Sequence, residues 1–233
     1  MKRSVWIALP AYTGVVHIST MRSIMGDLLA LAKRGDSVSM FDEVGNALIG
    51  DTRAQIVASF LKSNGTHLVF VDWDVCWANG GVPRLVDHDV DLVAGMYPMR
   101  SDPIRFQLRS EHEGGEGLFI DPSTGLVEVW GVSAGFMCCS RKMLEMMVAA
   151  HPELAFTSEK SPGGTAWALF DPYRVEGGNL KLGEDYAFCQ RWRDLGGKVW
   201  IDPAIGMGHT GLKTFVGDFA QWVDQLPKDE KAA

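Results

Sequence analysis

The stretch Leu68-Val69-Phe70-Val71-Asp72-Trp73-Asp74 constrains this chain more than any other. Four apolar, β-prone residues run straight into two carboxylates spaced one residue apart. A short run that is apolar at every position suits a strand buried on both faces of a parallel sheet. In open α/β sheets, ligands bind beyond the carboxyl ends of the strands, and Asp72 and Asp74 fall at that end. Residues i and i+2 of an extended segment point the same way, so both carboxylates could converge on one divalent cation. Mg2+ and Mn2+ favour such oxygen ligands, and Mg2+ typically takes one or two of them plus phosphate oxygens. Asp is also common in turns and as a helix N-cap, so an ordinary polar strand end fits the same residues.

The flanking sequence supplies the rest of a sheet. Val5 to Leu9 reads as a strand stopped by Pro10, followed by a loop, Ala11-Tyr12-Thr13-Gly14. Ser19 suits an N-cap for a helix carrying Met21, Ile24, Met25, Leu28 and Leu31 to Gly35. Tyr12 either offers its ring to a ligand or packs at the sheet edge. Val38 to Phe41 is a second strand, and Asp51 can cap a helix with Ile56, Val57, Phe60 and Leu61 on one face. Arg53 lies in the first turn of that helix, where a cation opposes the helix dipole. It is either a surface arginine or the partner of an anion. Asp91 to Met96 reads as another buried strand. Successive strand-helix-strand units predict an α/β fold with a mostly parallel sheet flanked by helices.

After residue 97 the texture changes. Ile104 to Leu108, Gly117 to Ile120 and Leu126 to Val132 read as short strands of an antiparallel or mixed section. Arg100, Arg105 and Arg109 in this section suit an anionic substrate or a solvated face. Ser133-Ala134-Gly135 are small enough for close approach of a ligand to backbone, and equally for a β-bulge. Ser140 caps a helix containing Met143, Leu144, Met147 and Val148. Residues 152–182 form a long irregular stretch, and Trp167, Phe170 and Tyr173 within it favour ordering over a substrate. Gly183-Glu184-Asp185 opens a helix with Phe188, Cys189, Trp192 and Leu195 buried, its acids suiting the dipole. Lys198 to Asp202 is a late strand. His209 follows it between glycines, outside any apolar periodicity, and Phe215, Phe219, Trp222 and Val223 suit a short terminal helix.

Charge and cysteine usage narrow the classes. A formal net charge of −7 over 233 residues gives no general attraction to nucleic acid or anionic membranes. The 4 cysteines form no CxxC pair, which suits reduced thiols in a cytoplasmic setting. No apolar stretch reaches transmembrane length. A single domain over 1–227 is expected, with a charged, disordered tail over 228–233.

Taken in order, Pro10-Ala11-Tyr12, Arg53, Asp72-Trp73-Asp74, Gly135-Phe136, Glu184-Asp185 and His209 resemble the GT-A fold of nucleotide-sugar glycosyltransferases, of the compact bacterial or phage type carrying a DxD motif. The similarity spans about residues 4–212. The phrase Gly183-Glu184-Asp185-Tyr186-Ala187-Phe188, followed by Gly196-Gly197-Lys198-Val199-Trp200, is its most characteristic part. The resemblance implies that Pro10, Ala11 and Tyr12 hold the nucleotide base and that Arg53 approaches the nucleotide or its phosphates. It implies that Asp72, beside Trp73, meets ribose or the metal shell, and that Asp74 and His209 bind Mn2+ or Mg2+. Gly135 and Phe136 would lie by the donor sugar or acceptor. Asp185, or Glu184 in second place, would be the general base of an inverting transfer. The implied donor is a nucleotide diphosphate sugar, UDP-sugar favoured and GDP-sugar next. The acceptor is left open among glycan, protein and modified nucleobase. A nucleotidyltransferase acting on a sugar phosphate, and a non-catalytic nucleotide-sugar-binding module, are the alternatives.

Overall fold

The computed structural model describes residues 2–107, 109–110, 118–175 and 179–225. The chain opens with β1 (Ser4–Pro10), α1 (Ile18–Lys33), β2 (Ser37–Glu43) and α2 (Ile49–Lys62). Next come β3 (His67–Val71), β4 (Val75–Trp77), α3 (Gly81–Asp87) and β5 (Leu92–Gly95). The middle adds β6 (Arg109–Ser110), β7 (Phe119–Ile120), β8 (Val127–Gly131), β9 (Phe136–Ser140) and α4 (Arg141–Ala150). The stretch read as irregular carries small antiparallel pairs, β10 (Ala155–Thr157) with β11 (Thr165–Trp167) and β12 (Tyr173–Arg174) with β13 (Lys181–Leu182). After α5 (Glu184–Asp194) come β14 (Val199–Asp202), β15 (Met207–Thr210), β16 (Thr214–Gly217) and α6 (Phe219–Gln225).

The main sheet has the order β2-β1-β3-β9-β5-β14-β8-β6, with β7 also on β8. β2, β1, β3, β5 and β14 run in one direction, as two strand-helix units and a late strand predict. The neighbour pairs are nonetheless mostly antiparallel: among the described residues only β1–β2, β1–β3 and β5–β14 pair in parallel. The reason is β9, a reversed strand inserted between β3 and β5, with Val71 opposite Phe136 and Leu92 opposite Cys139. Phe136-Met137-Cys138-Cys139 is fully buried, as a central strand must be, and the small cysteines fit between covering layers.

Both faces of β3 are covered, which explains its unbroken apolar run. Leu68 and Phe70 join Ile56, Phe60 and Phe188 on one side. Val69 and Val71 join Ile24, Leu31, Val82 and Leu85 on the other. A separate antiparallel sheet, β16-β15-β4, stands beside this assembly. Among the described residues, no helix is long and apolar enough to cross a membrane.

Several local expectations shift. His17, not Ser19, caps α1, its Nδ1 accepting from the Ser19 N–H. α2 begins at Ile49, so Asp51 sits inside its first turn. Residues 104–107 carry no strand, and Leu108 lies outside the described residues. Phe215 belongs to β16 rather than to the terminal helix. The expected tail, 228–233, also lies outside the described residues.

Candidate active site

The acidic pair sits where the sheet ends. β3 stops at Val71, and the Asp72 N–H donates to the Gly135 carbonyl across 2.9 Å. The chain then turns, and β4 pairs with β15 so that Val75 lies opposite His209. The Thr210 N–H donates to the Asp74 carbonyl at 2.8 Å. On the other flank, the Trp73 carbonyl accepts from the His17 N–H at 2.8 Å. Below it, the fully buried Asp27 carboxylate accepts from the Trp77 indole and from the Gly80 and Val82 N–H groups.

This turn separates the two carboxylates. The i, i+2 rule holds only while the segment stays extended, and residues 72–74 have left the strand. Asp72 turns toward α2 and α5, and Asp74 toward β15 and the loop after β5.

On the Asp72 side, Arg53 is a buried centre rather than a surface residue, being 2% exposed. Its guanidinium donates to Asp185 Oδ1 at 2.6 Å and to Asp72 Oδ1 at 3.2 Å, with Glu184 Oε1 at 3.8 Å. Its Nε is buried and has no protein partner. Burial opposes the guanidinium charge, but Asp185 and Asp72 more than offset it, so Arg53 stays charged. Burial pushes the Asp185 carboxyl up to about 6; Arg53 opposes this rise, Glu184 and Asp72 add to it, and a hydrogen bond from Ala134 opposes it. Tyr97, hydrogen-bonded to Ser133, is driven well above the usual phenol range by burial and by Asp72 and Asp185. A Cβ on Gly135 would stand 2.5 Å from Tyr97 Oη and 2.7 Å from Asp72 Oδ2. The small residue therefore serves close packing of these groups.

On the Asp74 side, the carboxylate is buried. His209 Nδ1 donates to the Pro98 carbonyl at 2.9 Å, which leaves Nε2 with its lone pair, 3.8 Å from Asp74 Oδ1. Burial holds the imidazole below the ordinary histidine range, and Arg100 adds to this. A neutral imidazole nitrogen facing a carboxylate oxygen across a short gap is a donor set for a divalent cation. A cation does sit there: the Arg100 guanidinium pairs with Asp74 Oδ2. Among the described residues no group of three or more His, Cys, Asp and Glu side chains is arranged around one metal position. The Asp74–His209 pair would suit a Mg2+- or Mn2+-like ion that takes few protein ligands and completes its shell with phosphate oxygens.

Adjoining cavities join these groups. One of about 230 Å³ is lined by Pro10, Tyr12, Asn46, Arg53, Asp72, Trp73, Glu184 and Asp185. Another, of about 480 Å³, shares Glu184 and Asp185 and adds Gln107, Ser133, Lys181 and Tyr186. A third, of about 430 Å³, shares Gln107 and Ser133 and reaches Tyr97, Arg100 and His209. A separate cavity of about 830 Å³ lies at the opposite end of the strands by His67, Asp91 and Ser140, and holds none of these groups.

Most of the expected residues therefore meet in one cleft. Tyr12 and Trp73 are exposed on its wall. Ala11 is buried, its N–H given to Glu43. Phe136 is fully buried against Trp77, ring centroids 4.2 Å apart, so neither residue lines the cavities. Ser133 is one of the three small residues at 133–135 that the sequence offers, while Tyr97 and Asp27 are not singled out by it; for Tyr97, its place just beyond the carboxyl end of β5 is the signal that applies.

No protein-family model and no curated protein sequence matches the chain. Among solved structures it is similar to A197 from STIV, with a TM-score of 0.50 at 15% identity over 90% of this chain and 86% of that one. It is also similar to GalNAc-T7 solved with UDP, GalNAc and Mn2+, with a TM-score of 0.48 at 13% identity over 88% of this chain. This chain spans less than half of that structure, 43%. A third is S. aureus TarS 1-349, with a TM-score of 0.45 at 11% identity over 99% of this chain and 68% of that one. The first of these likenesses concerns the fold alone, α/β with a mixed sheet flanked by helices.

Proposed function

We propose that the chain is a cation-dependent glycosyltransferase that moves a sugar from a nucleoside diphosphate to an acceptor hydroxyl with inversion. The observation that carries this reading is the position of Asp185. It stands on the wall shared by the cavity of Tyr12, Arg53 and Asp72 and the cavity of Ser133, Lys181 and Tyr186. A carboxylate between a donor space and an acceptor space is placed to take a proton from an attacking hydroxyl. Its rise to about 6 leaves it ionised at neutral pH and more basic than an ordinary aspartate.

The other residues divide the work. Asp74 Oδ1 and His209 Nε2 would hold Mn2+ or Mg2+, which when bound offsets charge on the leaving diphosphate. Tyr12 offers an exposed ring for the base, UDP-sugar being favoured over GDP-sugar. Asp72, fixed by Arg53, faces the same space and is available to a ribose hydroxyl or a water. Gly135 lets Asp72 and Tyr97 pack closely beside the donor space, and Lys181 and Tyr186 border the acceptor.

A thermal-shift screen of nucleoside diphosphates and nucleotide sugars, each with and without Mn2+, tests the reading, because a ligand of the native state raises apparent stability by mass action. We expect a shift for one nucleotide that needs Mn2+ and is lost in Asp74→Ala. No shift with any of them in folded protein would sink the proposal. Pyrophosphate release from a nucleoside triphosphate and a sugar phosphate would assign nucleotidyl transfer instead. Nucleotide-sugar binding without transfer or hydrolysis would leave a binding module.

A further inference from the structure

Arg100 has a place that the transfer chemistry above does not use. Asp74 is buried, and a buried carboxylate needs a positive partner or several donors. His209 does not donate to it, because its Nδ1–H is committed to the Pro98 carbonyl and its Nε2 stands 3.8 Å from Asp74 Oδ1. Among the described residues, Arg100 is the cation that reaches Asp74. Its guanidinium takes Oδ2, while Oδ1 faces His209. A divalent ion between Asp74 and His209 would bring a second positive charge beside that guanidinium. The two cations repel, so they compete for one carboxylate.

The surroundings let the side chain move while its backbone stays. The Met99 N–H donates to the Arg105 carbonyl at 2.7 Å, Ser101 Oγ donates to the Pro103 carbonyl at 3.0 Å, and Lys213 pairs with Asp102. These contacts tie the loop after β5 to itself and to the turn between β15 and β16. The Arg100 side chain itself is 40% exposed and borders the cavity of about 430 Å³. Its planar fork suits two oxygens of a phosphate group as well as it suits a carboxylate.

We propose that Arg100 is an internal stand-in cation. It neutralises Asp74 in the free protein, yields that carboxylate when a divalent ion arrives, and turns to the nucleotide diphosphate that arrives with it. This rests on the assignment of Asp74 and His209 as cation ligands. Binding of the ion alone is then weak, because Arg100 must leave without a new partner. Binding together with a diphosphate is favoured, because the displaced guanidinium gains one. The coupling is reciprocal, as any such linkage must be.

Mn2+ alone, titrated into intact protein and followed by the spectroscopic signal of the free ion, tests this without any turnover. Arg100→Gln should bind Mn2+ about fivefold more tightly than the wild type, the fold-change set by the upper end of partly exposed ion pairs. Added UDP should raise Mn2+ affinity in the wild type by a larger factor than in Arg100→Gln. Arg100→Ala is carried alongside, so one badly folded variant leaves the comparison intact, and Asp74→Asn should abolish binding. Equal or weaker Mn2+ affinity in the Arg100 variants, with Asp74→Asn still abolishing it, overturns the role of Arg100 and leaves the cation site standing. Absence of Mn2+ binding in every form, with and without UDP, overturns the site and this proposal together.

Discussion

Arg53 donates to Asp185 Oδ1 across 2.6 Å, and its other terminal nitrogen reaches Asp72 Oδ1 at 3.2 Å. One guanidinium on α2 thus fastens the second residue of α5 to the residue that follows β3. Arg53 is the fifth residue of α2, past the first turn in which the sequence puts it; its position is explained by two carboxylates brought in from later in the fold.

Arg53→Gln should therefore cost about 2 kcal/mol of stability. That lies below the range for fully buried pairs, because Asp72 and Asp185 both reach solvent. Urea unfolding measures it. A change under about 0.5 kcal/mol, the size of an ordinary surface substitution, would mean that the bridge does not hold α2 and α5 together.

Transfer should fall as pH drops through about 6, the value to which burial lifts Asp185. The sign follows from the role: a base acts in its ionised form, so protonation removes activity, about tenfold per pH unit below the midpoint. A profile of kcat/KM with no acidic limb between pH 5 and 7 would remove Asp185 as the base.

Gly135→Ala places a methyl 2.5 Å from Tyr97 Oη and 2.7 Å from Asp72 Oδ2. Both must shift, at about 1–3 kcal/mol of overpacking. Donor affinity should drop by about tenfold or more while the folded signal persists at 25 °C. Unchanged affinity by calorimetry would show that the Asp72 position does not matter to the donor.

Asp27→Asn puts an amide where three donors converge, from Trp77, Gly80 and Val82. One donor loses its acceptor, at about 2 kcal/mol. The loop from Asp72 to Trp77 hangs on this clamp, so Mn2+ affinity should weaken a few-fold along with the thermal midpoint. A lower midpoint with intact Mn2+ affinity would confine Asp27 to stability.

The legible part of the fold was the part written in unbroken patterns. Val69 and Phe70 announce a strand covered on both sides, and both sides are covered. Strand direction is another matter. An apolar run such as Phe136 to Cys139 reads the same from either end, and only its pairing partners show that it is reversed. The extended pattern stops at Val71, so the i, i+2 rule does not fix how Asp72 and Asp74 stand to one another. Arg53, Asp185 and His209 carry no local sign of meeting in one cleft; only the resemblance in order and spacing links them. Asp27 sits on a helix among Met25, Leu28 and Leu29 and resembles any polar position there, because its donors come from the distant segment 77–82.

The reversed strand also sets an order of assembly. β3 and β5 are made early, yet the slot between them is filled by β9, which the ribosome delivers much later. A nascent chain released as far as β5 holds Arg53, Asp72 and Asp74 beside two open strand edges. Such edges invite pairing with the wrong chain. Segment 136–140 closes the gap and brings Ser133 to Gly135 against Asp72 in the same stroke. The birth of the cleft and the sealing of the sheet are therefore a single event, and a truncated chain lacking β9 should be aggregation-prone as well as inactive.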